Sequence, residues 1–157
     1  MSKSDANDYS RFENIDDSDE EEVNTKTKTD ALALLPERLL EAHRLKDAGN
    51  NFFKTNNIAS AKASYEDALS KITDFQDMKG IDIIPDINLR SEVRALVVSL
   101  KSNLSMVFLK EESWSKAVTY CNQTLLLDPL HVKTILRRGS AKVRLQDYEN
   151  AKEDFKK

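Results

Sequence analysis

VVSLKSNLSMVFLKEESWSKAVTYCNQTLLLDP, residues 97–129, decides the fold when it is set against the rest of the chain. Above it lies EAHRLKDAGNNFFKTNNIASAKASYEDAL, residues 41–69, and below it HVKTILRRGSAKVRLQDYENAKEDFKK, residues 131–157. The three rows align on small residues: Gly49, Ser105 and Gly139, then Ala61, Ala117 and Ala151. They align again on bulky ones: Phe52 with Phe108, Ile58 with Trp114 and Tyr148, and Tyr65 with Cys121 and Phe155. Self-similarity of this kind is the mark of a repeat architecture. Small residues let two antiparallel helices approach closely, while bulky ones fill the grooves between neighbouring pairs. Asp128-Pro129 closes the middle row, because proline cannot continue a helix.

Outward from the repeats, the chain keeps one character. In LLPERLLEAHRLKDAGNNFF, residues 34–53, Pro36 and Glu37 suit a helical first turn, and Leu39, Leu40, His43, Phe52 and Phe53 recur at helical spacing. With three glycines and few β-branched runs, the sequence predicts an all-α fold. The first thirty or so residues are polar and acidic, with Tyr9, Phe12, Ile15 and Val23 as their sizeable apolar groups, and too little surface is available there to offset ordering entropy. The expected organisation is a disordered acidic tail over residues 1–32 and a repeat domain over 33–157. Its units fall at about 42–75, 98–131 and 132–157, with an insertion at about 76–97. The insertion, within KITDFQDMKGIDIIPDINLRSEVRA, reads as an extended first-unit helix, a loop at Gly80 and Pro85, and an extended second-unit helix. Since the third unit ends with no following helix to cover it, its end is expected to fray.

Composition removes several functions. A net charge of −3 supplies no general attraction for nucleic acid. One cysteine, Cys121, cannot form an internal disulfide or a cysteine metal cage, and no other metal set stands out. His43 and His131 are the histidines, no nucleophile motif surrounds Cys121, and no glycine-rich phosphate loop occurs, so neither an enzyme nor a cofactor is expected. MSKSDANDYS has no apolar core of a secretory signal, and no apolar run is long enough to cross a bilayer. The expectation is a soluble monomer of the cytoplasm or nucleus that contacts neither membrane nor nucleic acid.

Ala117 and Ala151 stand 34 residues apart, the period of tetratricopeptide units. Residues 42–157 resemble the tetratricopeptide repeat (TPR) family, and the insertion and the RRG at 137–139 resemble the TPR domains of large immunophilins. Lys142, where the earlier units carry Phe52 and Phe108, departs from the pattern. Stacked TPR units curve, and their first helices line a concave groove.

Lys46-Asp-Ala-Gly-Asn50, Asn103 and Lys133-Thr-Ile-Leu-Arg137 resemble the carboxylate clamp of TPR co-chaperones. That resemblance implies a partner, the C-terminal Glu-Glu-Val-Asp of the cytosolic seventy- and ninety-kilodalton heat-shock chaperones. It also implies roles. Lys46, Asn50 and Asn103 would hold the terminal carboxylate and nearby backbone, and Lys133 and Arg137 the last aspartate's side chain and a carbonyl. Phe53 and Met106 are candidates for contact with the ligand's valine. Lys133 and Arg137, four apart with no acid at i±3 or i±4 from Arg137, are expected to repel each other until an anion arrives. Arg138 reads as a surface residue. The rival reading is a TPR scaffold whose groove holds some other protein segment.

In the tail, DYSRFENIDDSDEEE, residues 8–22, resembles the N-terminus of the kinase-targeting co-chaperone, and Ser18 with the acids after it resembles a casein kinase two site. Ser18 is therefore a candidate phosphorylation site, beside the plain reading of a solubilising tail. Glu21-Glu22-Val23-Asn24 resembles the clamp's own ligand but lacks the free terminal carboxylate.

Overall fold

Helix is set by local periodicity and ended by capping, and both are visible along the chain. The computed structural model describes the backbone from Asp17 to Lys157 and side chains from Thr25 onward. Tyr9, Phe12 and Ile15, and the side chains of Ser18 and of Glu21 to Asn24, lie outside the described residues. The described chain divides into two units at Leu34 and Leu35.

The first unit contains helix α1 (Asp17–Ala33). The backbone is thus helical over residues 17–33, largely within the stretch where the sequence leads one to expect an acidic tail. The sequence of α1 has no apolar stripe, so its stability rests on backbone bonds and short-range contacts such as Thr29 Oγ1 donating to the Thr25 carbonyl at 2.9 Å.

The second unit is all-α, as expected. It contains α2 (Leu35–Lys54), α3 (Ile58–Lys71), a 3₁₀ turn (Thr73–Phe75), α4 (Met78–Asp82), α5 (Ile87–Lys110), α6 (Trp114–Leu127), α7 (Val132–Arg144) and α8 (Tyr148–Phe155). Helices pack as three successive hairpins, α2 on α3, α5 on α6 and α7 on α8, and each hairpin also packs on the next. The repeat alignment is a list of contacts. A Cβ on Gly49 would stand 2.6 Å from the Tyr65 ring, and one on Gly139 2.7 Å from the Phe155 ring. Ser105 and Cys121, both fully buried, neighbour each other at the same place in the middle hairpin. Aligned small and bulky residues are therefore the two sides of each helix crossing.

Each hairpin turns in the same way. The N–H of Asn57, Ser113 and Asp147 reaches the carbonyl of Phe52, Phe108 and Lys142 at 2.8, 2.9 and 2.9 Å. The residue before each, Asn56, Glu112 and Gln146, takes a φ of 60°, 57° and 62°. This is a Schellman stop with a left-handed residue after the helix.

The insertion differs from expectation. The first unit's second helix is not extended; α3 ends at Lys71. The chain then folds back through the 3₁₀ turn and α4, burying Ile72, Phe75, Ile81 and Ile84 completely. Asp77 and Asp86 accept hydrogen bonds from the N–H of Gly80 and Leu89, each at 2.8 Å, and so start α4 and α5. Four apolar residues seeking cover make a compact wedge more stable than a lengthened, one-sided helix. The expected extension of α5 is present.

The third unit is formed through Phe155. Arg138, expected on the surface, is instead half-buried against Asp154. Its Nε and Nη2 donate to the carboxylate at 2.9 and 2.5 Å, and Lys142 Nζ adds a third bond at 2.8 Å. Asp154 is 2% exposed. Burial acts to raise its pKa, but the bonds and charges of Arg138 and Lys142 win and hold it below its ordinary value. Lys142 departs from the aromatic pattern because here it serves this ion cluster.

Candidate functional site

Helices α2, α5 and α7 are the first helices of the three hairpins and lie side by side, α5 touching both of the others. Side chains that recur at three- and four-residue spacing on them line two adjoining hollows. The larger, about 520 Å³, includes Arg94, Ser99, Asn103, Asp128, Lys133 and Arg137 in its walls. The smaller, about 220 Å³, is lined by Asn50, Phe53, Lys54, Tyr65, Asn103, Met106 and Arg137. Asn103 and Arg137 are common to both.

Of the five polar residues singled out in the sequence, Asn50, Asn103, Lys133 and Arg137 thus line one continuous depression. Lys46 stands one turn before Asn50 on α2, half-buried, and lines neither hollow. Phe53 and Met106 are half-buried in the wall of the smaller hollow.

The bonds among these groups decide what they can offer a ligand. Asn50 Oδ1 accepts from the Tyr65 hydroxyl at 2.8 Å and from Asn103 Nδ2 at 3.1 Å. Its oxygen is thereby occupied, and its amide hydrogens remain to donate. Burial pushes the Tyr65 phenol above its ordinary pKa, against the pull of Arg137 and Asn103, so it stays a neutral donor.

Arg137 Nη1 donates to the Ser102 carbonyl and to Ser102 Oγ, both at 2.7 Å. Ser102 Oγ meets Thr134 Oγ1 at 2.8 Å, and Thr134 Oγ1 meets His131 Nδ1 at 2.8 Å. This corrects the picture of Arg137 as a cation without a partner. One guanidinium nitrogen is anchored through a buried polar chain, and the rest of the fork is left to engage an anion. Burial lowers the Arg137 pKa, partly offset by Cys121 and Tyr65, but an arginine this far above neutrality remains charged.

Lys133 is exposed, and neither it nor Lys46 has a hydrogen bond or ion pair among the described residues. In the larger hollow three cations, Arg94, Lys133 and Arg137, face one acid, Asp128. The depression is therefore cationic, rich in donors and open, with an apolar corner at Phe53 and Met106. Two contributors escaped sequence reading. Tyr65 carried only a packing signal, and Ser102 sits 35 residues from the arginine it anchors.

Known proteins share this arrangement of helices. A tetratricopeptide-repeat model matches residues 132–157. FK506-binding protein 59 of Drosophila melanogaster is 33% identical over 122 residues, covering 77% of this chain and 25% of that protein. The chain thus spans about a quarter of that relative's length. Among solved structures, the C-terminal TPR-containing domain of a Plasmodium falciparum FK506-binding protein superposes with a TM-score of 0.70 at 27% identity, covering 76% of each chain. The second TPR of Spaghetti (RPAP3), solved bound to the HSP90 peptide SRMEEVD, gives a TM-score of 0.59 at 27% identity, covering 76% of this chain and 91% of that one.

Proposed function

We propose, since the chain carries a TPR domain similar to those of FK506-binding immunophilins and of RPAP3, that the α2–α5–α7 depression receives the free C-terminus of an acidic peptide. The ligand is of the Glu-Glu-Val-Asp kind that ends the cytosolic ninety- and seventy-kilodalton heat-shock chaperones, which makes the chain a co-chaperone or adaptor. The observation that carries this reading is the sharing of Asn103 and Arg137 by both hollows, with Asn50 bonded to Asn103. Three donors from three separate helices converge there. RPAP3, a structural neighbour, takes a peptide of this type in the same fold.

The chemistry is complementary. A C-terminal aspartate carries two carboxylates a few ångströms apart. Asn50 and Asn103 with Lys46 suit one of them, and Lys133 with the unanchored part of Arg137 suits the other. Phe53 and Met106 offer cover to an aliphatic side chain. Charge-assisted bonds contribute about 1.5–3 kcal/mol each, and several, after association costs, support roughly micromolar affinity.

The test is calorimetric titration with Met-Glu-Glu-Val-Asp as the free acid and as the C-terminal amide. The free acid should bind at about micromolar Kd, and the amide should bind at least tenfold more weakly. Affinity should fall as salt rises. Lys133→Ala, at an exposed position, should weaken the free acid about tenfold without loss of helix. Equal affinity for acid and amide would overturn the reading in favour of a groove that holds an internal segment of some other partner.

A further inference from the structure

Lys101 stands two residues before Asn103 on α5, about 200° around the helix, and so belongs to a different face from the groove. It is 7% exposed, and its Nζ donates to the Gln76 carbonyl at 2.8 Å. An ammonium carries three hydrogens, and one carbonyl uses one of them. No carboxylate forms an ion pair with Lys101 among the described residues. Asp77 attracts it at longer range, but an oxygen of that carboxylate is taken by the Gly80 N–H at 2.8 Å. A buried cation with no carboxylate in direct contact is costly, and burial pushes the Lys101 pKa down against the pull of Asp77.

Lys101 also lines a hollow of about 550 Å³ between the insertion and α6, a size typical of small-molecule sites. Met78 and Leu126 in its walls are 38% and 75% exposed, with Leu127 beside them. Lys79 supplies a second cation. Asp77 lies in the same wall, with one oxygen held by the Gly80 N–H, so the hollow joins a buried ammonium with two spare hydrogens to an exposed apolar wall.

We propose that this hollow binds a small amphipathic carboxylate, with its head on Lys101 and Lys79 and its hydrocarbon body against Met78, Leu126 and Leu127. A carboxylate's two oxygens match the two spare hydrogens of the Lys101 ammonium, and the exposed apolar wall suits a hydrocarbon body, which inorganic phosphate lacks. The proposal does not depend on what the groove binds.

The experiment is titration of the ¹⁵N-labelled chain with octanoate and with octanamide, its neutral counterpart, followed residue by residue by NMR. Octanoate should produce saturable shifts at Gln76, Lys79, Lys101 and Leu126, and octanamide should bind there at least tenfold more weakly. Lys101→Met should bring the two ligands to similar affinity, a ratio that the purely structural bond to Gln76 would not control. Leu126→Glu, at an exposed rim position, should weaken octanoate at least fivefold and octanamide less, and it decides the matter if Lys101→Met fails to fold. Equal binding of acid and amide to the native chain, shifts confined to Asn50, Asn103 and Arg137, or no saturation at any octanoate concentration would overturn the proposal.

Discussion

The two glycines at helix crossings look alike in the sequence and differ in what they face. At Gly49 an added methyl would strike the Tyr65 ring, which is buried and holds Asn50 through its hydroxyl. At Gly139 it would strike Phe155, which is half exposed and two residues from Lys157. Alanine gains about 0.5–1 kcal/mol of helix propensity over glycine at either place. Gly49→Ala should nonetheless destabilise the domain by about 1–3 kcal/mol, because Tyr65 has nowhere to go. It should also weaken binding of the acidic peptide, since Asn50 loses its anchor. Gly139→Ala should come out about neutral, within roughly 0.5 kcal/mol, as Phe155 swings outward. Urea midpoints of the two variants, with peptide titrations, check the contrast.

Turns and the inserted wedge carry the predictions at the level of the element. A left-handed backbone costs a residue with a Cβ about 1–2 kcal/mol, and Glu112 bears that cost with its side chain in solvent. Glu112→Gly should therefore raise stability, by about 1 kcal/mol after the added entropy of the unfolded chain is set against the relief of strain. A higher urea midpoint at unchanged slope is the expected result. Glu111 should be left as it is, because its carboxylate pairs with Lys62 across the first two hairpins at 3.0 Å. Gly80 is the opposite case. A Cβ there would run into the Asp74 carbonyl, a backbone atom that cannot swing aside. Gly80→Ala should unseat the 3₁₀ turn from α4 and cost about 1–3 kcal/mol. Hydrogen exchange should quicken first at residues 72–84, where the wedge would open.

The whole repeat unit is a row of hairpins, so its stability depends on each interface, and the α7–α8 interface depends on one buried acid. Asp154 holds its folded pKa below the unfolded value of about 3.9. The sign follows from linkage. A depressed carboxylate contributes stability that is complete above the unfolded pKa and is lost as pH falls through the folded one. Thermal midpoints should therefore be flat near neutrality and fall below about pH 4, with α8 losing protection before α2–α3. Asp154→Asn leaves Arg138 and Lys142 half-buried against an uncharged partner. It should destabilise the native chain by roughly 3 kcal/mol at pH 7 and flatten the acid limb of the profile. A profile unchanged by Asp154→Asn would show that other carboxylates set the acid response.

By itself, the sequence determined whatever depends on local period. Helical class, the three repeats, the small-against-bulky pairing at each crossing and the chemical kind of the groove's donors were all legible, because each follows from residues at fixed spacing along one chain segment. Tertiary structure decided which of those groups are already engaged. Arg137 is anchored by Ser102, Asn50 by Tyr65, Arg138 by Asp154, and Lys101 is held at Gln76, over separations of 35, 15, 16 and 25 residues. No periodicity announces such pairs, since they exist only once separate helices dock. The same reason hid the folded insertion, where four apolar side chains gain more cover from distant helices than from a longer helix of their own. It also hid the left-handed turns at Glu112 and Gln146, whose conformation is imposed by the next helix packing back and is marked by no glycine.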